Sequence, residues 1–136
     1  MKLAKLIDFN VLGDDRGSLV SLEQHKNIPF DIKRVYYIFD TKPKVSRGFH
    51  AHRHLEQIVV CVKGSCRFVL NNGETKEDLL LNSPQQGLYI GHDLWREMHD
   101  FSENCVLLVL ASDHYNEDDY IRNYDEFLTL VNNDDS

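Results

Sequence analysis

The sequence predicts an all-β sandwich or barrel with a single α-helix packed on its outside at the C-terminal end. Two patterns lead there. Short apolar or alternating runs recur at close intervals, separated by Gly, Pro, Asn and Ser, as strands do in a two-layer β fold. In the tail the period changes: Tyr120, Ile121, Tyr124, Phe127, Leu128 and Val131 recur at three- and four-residue spacing, as one face of a helix does.

The strand candidates are residues 19–23, 33–39, 48–52, 57–62, 66–70, 79–81, 88–90 and 106–110. Lys63-Gly64 supplies a turn between the runs at 57–62 and 66–70. Asn71-Asn72-Gly73 tolerates positive φ, so the run at 66–70 and the one ending at Leu81 should form a hairpin. Ser83-Pro84 and Gly87 break the next connection. For the helix, Asn116 is the candidate N-cap, with Glu117, Asp118 and Asp119 at the positive end of the dipole. Residues 1–131 read as one domain and 132–136 as a polar tail expected to fray.

A chain of 136 residues can bury roughly 68 % of its unfolded surface, so one core suffices without staples. With 42 % hydrophobic residues, 10 % aromatics and a net charge of −7, the composition is that of a soluble globular protein. It disfavours nucleic acid and anionic membrane as partners. An anionic ligand would have to be met by local cations. Apolar runs such as 105–111 are too short to span a bilayer and the N-terminus lacks a long apolar leader, so the expected location is the cytoplasm. Cys61, Cys66 and Cys105 are an odd number without CxxC spacing, and read as buried thiols rather than a disulfide framework or a zinc site.

Gly48-Phe49-His50-Ala51-His52 carries the densest chemistry. Alternate residues of a strand share a face, so His50 and His52 project together, with Arg47 immediately before them. Two imidazoles and a permanent cation suit proton transfer on an anionic substrate. The competing reading is a pair of histidines on a solvated strand face. His25, His54, His99 and His114 show no spacing that recommends more than a structural or surface role.

His50-x-His52-x3-Glu56 followed by Gly64 resembles the first motif of the cupin barrels, and residues 87–98 occupy the place of the second. Metal-binding cupins draw a third histidine from that second motif, at the position of Arg96 in Trp95-Arg96-Glu97-Met98. A guanidinium offers no lone pair and repels a cation, so no three-histidine metal site forms here unless His92, of the same strand parity, substitutes. The two histidines are therefore read as organic acid/base groups. Arg47-Gly48-Phe49-His50 resembles the RGxH stretch of the cupin nucleotide-sugar epimerases, whose histidine takes a proton beside a ketone. Asp15-Arg16-Gly17 resembles their DxRG element, whose arginine reaches the substrate diphosphate, often in the neighbouring subunit.

Longer strings carry a closer likeness. Asn27-Ile28-Pro29-Phe30, Lys33-Arg34-Val35-Tyr36-Tyr37-Ile38-Phe39-Asp40, Arg47-Gly48-Phe49-His50-Ala51-His52, Leu55-Glu56-Gln57, Gly87-Leu88-Tyr89-Ile90-Gly91, Glu97-Met98-His99-Asp100-Phe101, Val109-Leu110-Ala111-Ser112 and Asp119-Tyr120-Ile121-Arg122 resemble the dTDP-4-oxo-6-deoxyglucose 3,4-ketoisomerases. The resemblance implies a cupin jelly roll that forms a homodimer with exchanged N-terminal strands. It also implies a dTDP-sugar substrate, no metal or redox cofactor, and a place in making 3-amino-3,6-dideoxyhexoses for bacterial surface glycans such as the O-antigen of lipopolysaccharide. Arg16-Gly17-Ser18 resembles the branch that forms the galacto product.

By this resemblance His50 is the base at C3, and His52 orients it or handles hydroxyl protons. From the chemistry of the residues, Tyr37 is the expected donor to the developing oxyanion, and Arg16, Arg47, Trp95 and Arg96 are the expected substrate-binding residues. Strand parity sets Tyr37 with Val35 and Phe39, against Arg34 and Tyr36 on the other face. Only one set can face a pocket, and the set of Tyr37 is the one expected there, against the reading of a half-buried sheet tyrosine. Glu56 is a candidate to orient a histidine, against a solvated charge, and Trp95 is a ligand platform or a core residue. Family members carry Trp-His-Glu-Met where this chain has Trp95-Arg96-Glu97-Met98, which exchanges a titrating group for a fixed cation. The rival functions are a nucleotide-sugar epimerase, a metal-dependent cupin such as a dioxygenase, and a sugar-binding module without turnover.

Overall fold

The computed structural model describes residues 3–134. Along them run β1 (Lys5–Asp8), β2 (Leu12–Asp14), β3 (Gly17–Leu19), β4 (Arg34–Ile38), β5 (Arg47–His52), β6 (Gln57–Lys63), β7 (Cys66–Asn71), β8 (Lys76–Leu81), β9 (Gln86–Ile90), β10 (Trp95–His99), β11 (Val106–Ala111), a 3-10 turn (Glu117–Asp119), β12 (Tyr120–Ile121) and α1 (Tyr124–Asp134). Two antiparallel sheets, in the orders β1-β9-β6-β11-β4 and β12-β5-β10-β7-β8, form the body, and β2-β3 is a separate hairpin. The all-β architecture with one C-terminal helix is as expected.

Between the sheets lies a core that includes Val59, Cys61, Phe68, Leu70, Leu81, Leu88, Ile90, Leu107 and Val109. β6 is covered on both faces, because Ile58 and Val60 pack outward under Phe9, Ile28 and Phe30. That double burial is why its sequence reads as a continuous apolar run rather than an alternating one. On the outer face of the second sheet, Phe127 of α1 buries completely against Ala51, Trp95 and Ile121. Burying a side chain of this size contributes roughly 1.5–3 kcal/mol, enough to hold a short helix in place. Cys61, Cys66 and Cys105 are free and buried.

The β7–β8 hairpin forms as expected, with Asn71 opposite Lys76 and Gly73 at φ +97°. Its turn is tied by side-chain carbonyls: Gly73 N–H donates to Asn71 Oδ1 (2.7 Å) and Thr75 N–H to Asn72 Oδ1 (2.8 Å).

Three expectations need correction. The strand expected at 19–23 ends at Leu19, which pairs with Leu12. Beyond it, side chains rather than a sheet satisfy the backbone, as where Glu23 N–H donates to Asn27 Oδ1 (2.8 Å). Tyr120 and Ile121 are not helical but pair with His52 and Ala51 as β12, because β5 presents a free edge there. Asn116 therefore caps the 3-10 turn, accepting from Asp118 N–H (3.1 Å), while Asn123 Oδ1 accepts from Glu126 N–H (3.0 Å) in the first turn of α1. Finally, α1 runs on through Asp134, past the tail boundary expected at 131, and the rest of that tail, 135–136, lies outside the described residues.

Candidate active site

The site begins with an irregularity in β5. Across the β5–β10 ladder His50 pairs with Arg96 and Gly48 with Glu97, so Phe49 is an extra residue in a β-bulge. Phe49 has φ +59° and Gly48 φ +91°. In an unbroken strand Arg47 and His50, three apart, would face opposite ways. The bulge restores the lost step: Arg47 pairs with Met98, two residues along β10 from Arg96, and so shares the face of His50. Glycine is required at 48 twice over. A Cβ there would sit 3.1 Å from the Arg96 carbonyl oxygen and 3.3 Å from Glu97 Cα, on a backbone L residues rarely adopt.

This face opens on a cleft of about 640 Å³ whose walls include Arg34, Tyr36, Tyr37, Arg47, His50, Tyr115, Tyr120 and Arg122. Its cations are held by their neighbours. Arg122 lies 4.2 Å over the Tyr120 ring and donates to both Glu117 oxygens (2.8 and 3.0 Å), while Arg34 lies 5.1 Å over Tyr36. Arg122 and the Tyr115 hydroxyl together hold the Glu117 carboxyl down at about 2. In a protein of net charge −7, this concentration of guanidinium groups marks a place for an anion.

Beneath the cleft Arg96 is 2 % exposed and forms no hydrogen bond to a carboxylate among the described residues. Its Nη1–H donates to Gln57 Oε1 (2.7 Å) and its Nη2–H to the Leu94 carbonyl (3.0 Å); burial brings its pKa down to about 10, still a cation at neutral pH. Because Gln57 Oε1 is taken, the amide must present its Nε2–H to the Tyr36 hydroxyl (2.8 Å). The phenol oxygen accepts there, which leaves its own hydrogen free to be donated. Burial raises the Tyr36 pKa, so it stays protonated.

Both histidines are neutral. Burial first, and then the charge of Arg96, lower His50 to about 4 and His52 to about 2. Their rings meet edge to face with centroids 5.0 Å apart. They are not equivalent. His50 lines the cleft, whereas His52, 1 % exposed, lies behind it beside a cavity of about 40 Å³ that Arg34, His54, His114 and Asp119 help to line. Asp119 Oδ2 accepts from His52 Nδ1 at 3.1 Å.

The model of the family FdtA (WxcM-like, C-terminal) matches residues 2–132. The chain belongs to the FdtA family. It is 59 % identical over 127 residues to a TDP-4-oxo-6-deoxy-α-D-glucose-3,4-oxoisomerase of Aneurinibacillus thermoaerophilus, covering 93 % of this chain and 91 % of that one. Among solved structures it is similar to a 3,4-ketoisomerase from Helicobacter canadensis (TM-score 0.93, 55 % identity, 95 % of this chain and 97 % of the other). It is also similar to a histidine-to-asparagine mutant of the 3,4-ketoisomerase QdtA from Thermoanaerobacterium thermosaccharolyticum bound to TDP-4-keto-6-deoxyglucose (TM-score 0.94, 44 % identity, 98 % and 96 %). By this kinship the FdtA-family chain is an isomerase of the sugar-nucleotide ketoisomerase type.

Of the residues singled out in the sequence, His50 and Arg47 line the cleft of this FdtA-family chain, with His52 and Arg96 immediately behind them. Of the others, Tyr37 alone reaches the cleft wall. Tyr37 borders the cleft but is 64 % exposed, pointing out with Val35, while Arg34, Tyr36 and Ile38 turn inward. The inner tyrosine is thus Tyr36. Trp95 is buried against Tyr124 and Phe127 under α1, on the opposite face of β10 from Arg96, and is a core residue. Glu56 binds the Tyr89 hydroxyl, not a histidine. His92 pairs with Asp93 outside β10 and cannot supply the donor that Arg96 lacks. Arg16 sits on the β2–β3 hairpin with its guanidinium on Asp14 (2.6 Å), outside the cleft lining. Sequence reasoning missed Arg34, Asp119, Tyr120 and Arg122, although the string Asp119-Tyr120-Ile121-Arg122 was in view; read as helix, it could not be placed over the site.

Proposed function

We propose that this enzyme converts dTDP-4-keto-6-deoxyglucose into a dTDP-3-keto-6-deoxyhexose, moving the carbonyl from C4 to C3. The observation that carries the proposal is an imidazole kept neutral in a cleft walled by arginines. A neutral His50 is a competent base at pH 7. It removes the C3 proton, and the electrons of the C3–H bond form the C3=C4 double bond while the C4 carbonyl becomes an enediolate oxygen. A proton is then delivered to C4, and the proton of the C3 hydroxyl passes to the C4 oxyanion, so C3 becomes the ketone and C4 carries the hydroxyl. One proton leaves carbon and one returns, and no electron acceptor is needed.

Tyr36 donates its free hydrogen to the C4 oxyanion, polarised through Gln57 by the Arg96 cation. In a buried setting that charge acts more strongly than it would in water. Arg34, Arg47 and Arg122 meet the diphosphate. The working unit is a homodimer with exchanged N-terminal strands. Leu12 and Leu19 of the β2–β3 hairpin are 58 % and 57 % exposed, a cross-strand apolar pair without a cover in one chain, and the same hairpin brings Arg16 to a partner's substrate. Three reduced thiols and a nucleotide-activated substrate suit the cytoplasm. The product's C3 ketone is what an amine-transferring enzyme needs to make a 3-amino-3,6-dideoxyhexose for surface glycans, and Arg16-Gly17-Ser18 supports the galacto configuration.

The test is NMR of dTDP-4-keto-6-deoxyglucose incubated with the purified protein in deuterated water. The expected product is the 3-keto isomer with deuterium at C4, and His50→Asn should abolish its formation. An epimer as product, binding without exchange at C3, or activity that tracks stoichiometric iron, manganese or zinc in elemental analysis would overturn the proposal.

A further inference from the structure

Asp119 is the one carboxylate that touches either cleft histidine among the described residues, and both of its oxygens are committed. Oδ1 accepts from the backbone N–H of His54 (2.8 Å). Oδ2 accepts from His52 Nδ1 (3.1 Å) and from the backbone N–H of Leu55 (3.3 Å). A carboxylate can only accept, so a neutral His52 must carry its hydrogen on Nδ1. Nε2 then holds a lone pair, and that atom is buried without a partner. Free histidine in water favours the opposite tautomer, so the protein imposes this one.

We infer that Asp119 is a positioning residue that locks His52 in the Nδ1-protonated tautomer, so that a fixed lone pair rather than an N–H stands in the wall behind His50. The effect on the reaction, which rests on the proposed function, is electrostatic. When His50 takes the C3 proton it becomes a cation beside the buried Arg96. A neutral acceptor ring 5.0 Å away favours that cation, where an inward-facing N–H would oppose it. His52 is thereby a partner of the base and does not itself touch the cleft.

Asp119→Asn tests the inference sharply. The amide has one acceptor oxygen, and the shorter of the two backbone bonds, from His54 N–H at 2.8 Å against 3.3 Å from Leu55 N–H, keeps it, so the NH₂ group faces His52 Nδ1 and forces the hydrogen onto Nε2. Long-range ¹H–¹⁵N spectra of histidine-labelled protein, with His52 assigned through His52→Gln, should show Nδ1–H in the parent and Nε2–H in Asp119→Asn. In the same variant kcat should fall about 10- to 100-fold, as is typical when the partner of a functional histidine is lost, while KM stays near the parent's. Finding Nε2–H in the parent overturns the inference, and that measurement needs no substrate. So does an unchanged tautomer in Asp119→Asn, or a changed tautomer with unchanged kcat. A parent protein that does not turn over the sugar nucleotide would instead sink the proposed function, leaving the tautomer to decide the inference alone.

Discussion

Arg96 stands directly opposite His50 in the β5–β10 ladder, and among the described residues no carboxylate hydrogen-bonds to either. A permanent cation therefore faces the proposed base across two strands and helps keep it unprotonated. It also places positive charge beside the site proposed for the enediolate.

The first prediction concerns pH. With His50 lowered to about 4, activity should stay level as pH falls from 8 to about 5 and drop through about 4 as the base protonates. Arg96→Gln removes the opposing charge, so the acidic limb should move up by roughly one pH unit while kcat at pH 7.5 falls. A limb that stays in place would show that burial alone sets the value. Stability follows the same shifts. Both histidines have folded values below the ordinary 6.5, so this contribution is fully present above pH 6.5 and is lost as pH falls toward 4, by about 1.4 kcal/mol per pH unit for each histidine. Urea midpoints measured from pH 7 to pH 5 should decline, and less steeply in His52→Gln.

Gly48→Ala should damage both fold and site. A methyl group there meets the β10 backbone at 3.1 Å on a φ of +91°. The expected cost is about 1–3 kcal/mol in urea unfolding. Because the same bulge aims Arg47 into the cleft, substrate KM should rise as well. An alanine variant with parental KM would mean that Arg47 does not depend on the bulge.

The two neighbouring tyrosines should separate cleanly. Tyr36→Phe removes the donor at the end of the Arg96–Gln57 chain and should lower kcat on the order of 100-fold. Tyr37→Phe should leave kcat near the parent's, since that ring points outward with Val35. The reverse result in steady-state kinetics would restore the outer face of β4 as the reacting one.

The hairpin leucines report on assembly. Asp at both Leu12 and Leu19 places like charges opposite each other on the exposed β2–β3 pair. Light scattering after size exclusion should then show a monomer, with activity lost along with the partner's Arg16. A fully active monomer would rule out the exchange of strands as part of the site.

Much of this site is legible in the chain, and the parts that are not share a cause. Arg47, His50, His52 and Arg96 lie in two short strings whose residue types state their chemistry, so no coordinates are needed to single them out. Tyr36 and Tyr37 show the limit of periodicity. Alternation separates Arg34, Tyr36 and Ile38 from Val35, Tyr37 and Phe39, but both sets mix ring and aliphatic groups, and nothing local says which meets the second sheet. Trp95 misleads for a related reason: its face of β10 is covered by a helix some thirty residues later in the chain, so an aromatic next to Arg96 turns out to be core. Asp119 is misread because acidic residues ahead of an apolar period suit a helix start equally well.

What the sequence by itself determined is the number and spacing of most strands, the hairpin at Asn71-Asn72-Gly73, the histidine at position 50 as the candidate base and the family to which the chain belongs. Only the tertiary structure decided that Phe49 is an extra residue that turns Arg47 toward His50, that the inner tyrosine is Tyr36, and that Asp119 returns from 67 positions away to hold His52. The physical reason is that local pattern fixes which residues share a face. Which face is buried, and what reaches it, depends on long-range pairing that no short window contains.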